Sequence, residues 1–233
     1  MNCELLTDYD ALSDRAAEIF LSAIRNNPHI VLGLPTGRTP VRMYERVVAA
    51  CGRAYHCFRG VTTFNLDEYV GIDRSNPGSY FTFMKRHLFD FIDIDPANAH
   101  IPDGAATNLG EECTRYENAI AAAGGIALTF LGLGSNGHIA FNEPGTPFDS
   151  RTRVVTLTES TRTANASLFP EGTVPTHAIT MGIATILESK SIVLLASGAN
   201  KKAAIERLRS GEVSEQFPAS ALWNHPDVTV LIA

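Results

Sequence analysis

Asp67 and Glu68 stand side by side in Asn65-Leu66-Asp67-Glu68-Tyr69, just behind an apolar run. A carboxylate held beside a sugar can remove a proton from the carbon next to a carbonyl and return it to the following carbon, which is aldose–ketose chemistry. Neighbours on extended backbone point to opposite faces, so only one of the pair can enter a given pocket; either can instead cap the turn that follows. A second group lies in Gly132-Leu133-Gly134-Ser135-Asn136-Gly137-His138-Ile139-Ala140-Phe141-Asn142-Glu143-Pro144-Gly145. Its opening matches the dinucleotide pattern GxGxxG, but that pattern needs a helix directly behind it, and Asn142, Pro144, Gly145 and Pro147 interrupt any helix there. His138 with Glu143 five residues on is the more informative pair. A carboxylate near an imidazole fixes its tautomer and raises its basicity for proton transfer.

Groups suited to an anion occur elsewhere. Gly33-Leu34-Pro35-Thr36-Gly37-Arg38-Thr39-Pro40 places glycines and hydroxyls at a strand-to-helix turn, with Thr39 as expected N-cap and Pro40 in the first helical turn. It reads equally as a phosphate cradle or as a plain proline-capped turn. No Gly-Lys-Ser/Thr follows, so it is not a Walker A loop. Ser197-Gly198-Ala199-Asn200-Lys201-Lys202 brings lysines to the start of another helix, where cations oppose the helix dipole unless an anion is near. Arg162 can supply a forked phosphate contact. None of the 7 histidines forms a short-spaced metal motif, and no metal or redox cofactor is expected.

These groups require a scaffold that gathers strand ends. Strand-length apolar runs at 30–34, 61–66, 126–133, 191–196 and 228–232 alternate with helical patterns at 9–26, 39–50, 78–88, 107–123 and 199–210. The alternation predicts an α/β fold: one domain over 1–233 with a doubly wound, Rossmann-like, mostly parallel sheet flanked by helices. In such sheets ligands collect at the carboxyl ends of the strands. The least periodic stretch, 145–175, is expected to form a mobile lid. With 19 Lys and Arg against 25 Asp and Glu, no basic field exists for nucleic acid or an anionic membrane. The 4 cysteines show no metal or disulfide spacing, and buried thiols in a reducing compartment are expected. With neither a signal-peptide pattern nor an apolar run of membrane length, the expected location is the cytoplasm.

In combination, residues 33–40, Phe64-Asn65-Leu66-Asp67-Glu68-Tyr69, 136–145, Ser150-Arg151-Thr152-Arg153 and Ala178-Ile179-Thr180-Met181-Gly182 resemble the glucosamine-6-phosphate deaminase family over essentially the whole chain. The resemblance implies conversion of glucosamine 6-phosphate and water to fructose 6-phosphate and ammonia, without a cofactor. It makes Asp67 the proton acceptor between C2 and C1, and His138 the ring-opening acid/base, with Glu143 and Asn136 as partners. Thr36, Gly37, Thr39, Arg162 and Lys201 fall where the family holds the sugar phosphate, and Glu68 joins the substrate-binding expectation. Asn136 stands where some members carry Asp, so His138 is expected to rely on Glu143 for its basicity. Longer relatives continue past the position of Ala233 into an extension linked to allosteric activation and hexamer assembly; that regulation is not carried over. Other readings stay open: 6-phosphogluconolactonase, whose related motifs read Asp-Glu-Arg and Gly-His-Thr-Ala-Ser, a noncatalytic sugar-phosphate-binding regulator, and a preference for galactosamine 6-phosphate.

Overall fold

The computed structural model describes residues 1–51, 57–169 and 172–233. In chain order its elements are β1 (Asn2–Leu5), α1 (Tyr9–Asn26), β2 (Val31–Leu34), α2 (Val41–Cys51), β3 (Thr62–Asn65), β4 (Asp67–Tyr69), α3 (Tyr80–His87), β5 (Ala99–His100), α4 (Leu109–Ala122), β6 (Leu128–Gly132), β7 (Arg153–Thr156), α5 (Glu159–Asn165), β8 (His177–Thr180), α6 (Ile183–Leu187), β9 (Ser191–Ala196), α7 (Lys202–Arg209) and β10 (Val228–Ile232). A seven-stranded sheet runs β1-β10-β9-β6-β2-β3-β5, with every pair parallel.

The expected α/β architecture is therefore present. Alternation along the strands feeds two cores. Val193 and Leu195 of β9 join Leu12, Phe20 and Ile24 of α1 and Met43 and Val47 of α2 on one face. Ile192 and Leu194 join Tyr116 and Ile120 of α4 and Leu208 of α7 on the other. Helices on both faces of a parallel sheet are what strands buried on both sides demand. The apolar spacing 12, 16, 20, 24 makes α1 amphipathic, and Asp8 starts it by accepting from the Ala11 amide at 2.8 Å.

Strand order reverses between β2 and β6: successive strands step outward from β2 through β3 to β5, then return to β6 on its other flank and continue to β9 and β10. Such a switch point opens a crevice at the carboxyl ends of its two strands, because the following loops diverge. The loop after β2 is the 33–40 cradle, and the loop after β6 carries Asn136, His138 and Glu143.

Several local expectations need correction. β4 does not extend β3; it pairs antiparallel with β8, and β8 with β7, in a separate three-stranded sheet. Within 145–175 lie β7 and α5, while residues 170 and 171 fall outside the described residues. Helix α2 begins at Val41, and the Pro40 carbonyl accepts from the Tyr44 amide at 3.0 Å, so the capping position is Pro40 rather than Thr39. Lys201 closes a short 3-10 turn that precedes α7. Cys51 and Cys57 are joined in a disulfide, with Cα atoms 6.3 Å apart, where free thiols were expected; Cys3 and Cys113 are free. Among the described residues, no helix is long and apolar enough to cross a membrane.

Candidate active site

The cradle is braced from beneath. The Tyr44 hydroxyl donates to the Pro35 carbonyl at 2.6 Å, and the Tyr9 hydroxyl reaches the Arg38 and Thr39 carbonyls, each at 3.0 Å. Gly37 sits at φ +93, the left-handed region that disfavours side chains, and nothing lies within 4 Å of where a Cβ would stand. Its backbone is thus open to an approaching anion. The Thr36 side chain lies against the hydroxyl of Tyr80 on α3.

Buried amides hold the two halves of the crevice together. Asn65 donates to the Leu34 carbonyl at 3.2 Å, and the Met181 amide donates to the Leu66 carbonyl at 2.7 Å. Asn142, fully buried, donates to the Met181 carbonyl at 2.8 Å and the Ile139 carbonyl at 3.1 Å. The tight turn after His138 is thereby fixed to the strand that leads into Asp67. Thr180, the cross-strand partner of Asp67, accepts from the Phe141 amide at 3.2 Å.

The adjacent carboxylates diverge as strand geometry requires. Glu68 accepts from the Ser79 hydroxyl at 2.7 Å, the Tyr80 and Phe81 amides at 3.0 Å each, and its neighbour Tyr69's amide at 2.8 Å. It anchors the N-terminus of α3, where a negative charge suits the helix dipole. This corrects its expected place among the substrate-binding residues, because both oxygens are already occupied. Asp67 is 6% exposed, and no donor among the described residues is directed at its carboxylate. Burial, with the Glu68 charge adding to it, pushes the Asp67 carboxyl well above its ordinary range. An unshielded carboxylate of raised basicity is suited to accept a proton from carbon.

The Asn136, His138 and Glu143 side chains form a relay. Asn136 Nδ2 donates to Glu143 Oε2 at 2.7 Å, and its Oδ1 lies 2.7 Å from His138 Nδ1. Glu143 Oε2 is 3.7 Å from that same ring nitrogen. Since the carboxylate takes the amide's N–H, the amide oxygen must face the ring; Nδ1 then carries the proton and Nε2 is left as the base. Asn136 thus stands between Glu143 and His138, and the carboxylate acts through it as well as by charge. Burial lowers the His138 pKa from its ordinary value, the Glu143 charge raises it, and nearby Lys201 lowers it further. Gly134 is required here because a Cβ would overlap the imidazole.

Beyond the relay, Thr161 of α5 donates to Glu143 Oε1. Next to it, Arg162 Nε is buried with no partner among the described residues, and Lys201 is half-buried with its pKa lowered by burial. At the far end of α5, Asn165 lies against the Tyr69 hydroxyl, which accepts from Tyr80 at 3.3 Å. Thr158, Thr161, Tyr69, Tyr80 and the amides of Asn65 and Asn142 are the site-forming residues that sequence reasoning missed. Of these only Asn65 carried a local signal, as a polar residue inside the apolar run 61–66. Among the described residues, no cluster of three or more His, Cys, Asp or Glu side chains could hold a metal ion.

A parallel sheet with a crevice at its switch point, lined by a glycine turn, a buried carboxylate and a histidine relay, defines a doubly wound α/β enzyme of the sugar-phosphate type. Residues 7–231 match the family model for glucosamine-6-phosphate isomerases/6-phosphogluconolactonase, and the chain belongs to that family. Similar proteins include the glucosamine-6-phosphate deaminase of Lysinibacillus sphaericus, 54% identical over 96% of this chain and 94% of its own. Glucosamine-6-phosphate deaminase 1 of Bacillus subtilis is 48% identical over 100% of this chain and 95% of its own. Among solved structures, a monomeric glucosamine-6-phosphate deaminase of the NagB superfamily superposes with a TM-score of 0.95 at 46% identity, covering 100% of this chain and 97% of that one. The 6-phosphogluconolactonase of Thermotoga maritima, at 21% identity and a TM-score of 0.77 over 99% of this chain and 98% of that one, shares the fold.

Proposed function

We propose that this chain is a glucosamine-6-phosphate deaminase of amino sugar catabolism, converting glucosamine 6-phosphate and water to fructose 6-phosphate and ammonia. The observation that carries the reading is the relay Glu143–Asn136–His138, which presents a neutral Nε2 base, together with the unshielded Asp67 carboxylate. His138 takes the proton of the anomeric hydroxyl and returns it to the ring oxygen, opening the sugar. Asp67 then removes the proton from C2 as the C1 oxygen takes a proton from water, giving an enolamine, and delivers the C2 proton to C1, leaving an iminium at C2 that gives its extra proton back to water. The imine left at C2 adds water and releases ammonia, leaving the ketone. Thr36, Gly37, Thr39, Arg162 and Lys201 would hold the phosphate, and the buried Arg162 Nε, which has no partner among the described residues, is in keeping with that role. The product sugar phosphate belongs to cytoplasmic metabolism, where we place the enzyme.

Two residues favour the deaminase over lactone hydrolysis. Tyr69 and Phe141 stand where the lactonase motifs carry Arg and Ser, and here their rings meet at 5.6 Å in one aromatic cluster. Lactone hydrolysis also has no use for a proton acceptor between C2 and C1. The test is ammonia release coupled to fructose 6-phosphate detection, with glucosamine and galactosamine 6-phosphates in parallel. Stoichiometric ammonia and ketose from the glucosamine substrate is the expected result. No ammonia from either sugar would overturn the reading and direct the next assay to 6-phosphogluconolactone.

A further inference from the structure

Asn136 is exposed, so packing does not fix which way its amide faces and hydrogen bonds must. Which way it faces decides which nitrogen of His138 is the base. Its orientation is set from both ends: Glu143, which as a carboxylate can only accept, takes the Nδ2 N–H at 2.7 Å, and the His138 backbone amide donates to Oδ1 at 3.2 Å. Glu143 in turn has a flexible stem, so its direction needs a second restraint. That restraint comes from α5. The Thr158 hydroxyl donates to Thr161 Oγ1 at 3.1 Å, and Thr161 donates to Glu143 Oε1; the direct contact from Thr158 to the same oxygen is long, at 3.4 Å. Thr161 is 7% exposed, so water does not compete freely for its hydroxyl. The helix is itself fixed at both ends. Thr158 caps it by accepting from the Thr161 amide at 3.2 Å, and Asn165 lies against Tyr69.

We infer that Thr161 is a positioning residue for His138, acting through Glu143 and Asn136; the inference rests on the reading of His138 as the ring-opening acid/base. All the donors in the chain point toward one carboxylate, Thr161 from one side and Asn136 from the other. Without the Thr161 hydroxyl, Glu143 keeps Asn136 and the long Thr158 contact. The carboxylate then rotates, the amide is left with only the 3.2 Å bond from the His138 backbone N–H to hold its direction, and the imidazole populates both neutral tautomers.

The experiment compares wild type, Thr161→Val and Thr161→Ser. Thr161→Val keeps the shape and removes the donor; Thr161→Ser keeps the donor. Ring-nitrogen NMR of protein labelled at histidine, with the His138 signals identified by their loss in His138→Gln, reads the tautomer without any turnover. Wild type and Thr161→Ser should show protonation at Nδ1, and Thr161→Val a mixture. With glucosamine 6-phosphate, Thr161→Val should lose kcat about tenfold or more, as expected for one charge-assisted hydrogen bond, with KM little changed, and Thr161→Ser should recover it. A Thr161→Val protein with Nδ1 still protonated and kcat intact would overturn the inference, as would equal defects in the Val and Ser variants. If wild type releases no ammonia, the deaminase reading fails, while the tautomer measurement still decides whether Thr161 orients His138.

Discussion

Asp67→Asn should make the protein more stable and nearly inactive, and the size of both effects depends on pH. The substitution keeps the shape of the side chain and removes the base. General-base catalysis contributes about 100- to 10,000-fold, so kcat should fall by that factor, about 2.7–5.4 kcal/mol in the barrier. Binding of the sugar phosphate should persist, because the proposed phosphate contacts, the cradle with Arg162 and Lys201, are untouched. Stability should move the other way. Asp67 is buried with no donor to its carboxylate among the described residues, and an uncompensated buried polar group costs about 1–3 kcal/mol, so its neutralisation raises the melting temperature by roughly 2–10 °C. The sign follows from the raised pKa of Asp67 in the folded state. The folded protein holds this proton more tightly than the unfolded chain does. Its favourable contribution is therefore complete below the unfolded carboxyl pKa and is lost as pH rises through the folded one. The stability gap between Asp67→Asn and wild type should widen with rising pH. Melting curves of both proteins at about pH 5 and about pH 8, with kcat at the upper pH, measure it. An Asp67→Asn protein that is less stable at the higher pH, or offset equally at both, would show that the carboxylate makes a stabilising contact, and the argument for a free base would fail.

Other consequences are as direct. Glu68→Gln places an amide N–H against the donors of α3 and should lose about 1.5–3 kcal/mol in a urea titration, with KM unchanged in the folded fraction. Gly134→Ala adds a methyl that overlaps the His138 ring; kcat should drop about 100-fold while the circular dichroism spectrum stays native, and full activity would show that the ring has room to move. Lys201→Met removes a cation that lowers the His138 pKa, so the His138 titration followed by NMR in ligand-free protein should shift to higher pH. An unchanged titration would place the Lys201 charge away from the imidazole.

The five apolar runs read in the sequence are all strands of the large sheet, because a strand buried on both faces reads as an unbroken run of Val, Ile, Leu and Phe. β1 is polar at Asn2 and Glu4 and lies at an edge, and β5 has two residues, so neither carries a local signal. The small sheet was illegible for a different reason. Its pairing joins Asp67 to Thr180, and nothing near either residue announces the other. Spacing alone identified His138 with Glu143. Alternation said that one of Asp67 and Glu68 must face away, but only the donors around Ser79 and α3 decide that it is Glu68. Thr158 and Thr161 come from a polar segment without periodicity, where any hydroxyl looks like solvent-facing filler. The Cys51–Cys57 bond arises from the meeting of the end of α2 with the approach to β3, which spacing between cysteines does not encode.

The buried amide and hydroxyl ties around the crevice also fix the order in which activity can appear as the chain folds. Asn65 reaches back 31 residues to Leu34, Tyr116 reaches 51 to Asn65, and Asn142 reaches 39 forward to Met181. Each is a long loop closure, whose entropy must be overcome before the contact rewards it, whereas α1 and α4 need only their own neighbours. Helical signal can therefore return early in refolding, but Asp67 and His138 are held in one frame only after the chain between residues 34 and 181 has closed on itself. Recovery of turnover is thus a clock for the last long-range closures, and a partly folded chain, however helical, has no assembled acid/base pair with which to act on a sugar.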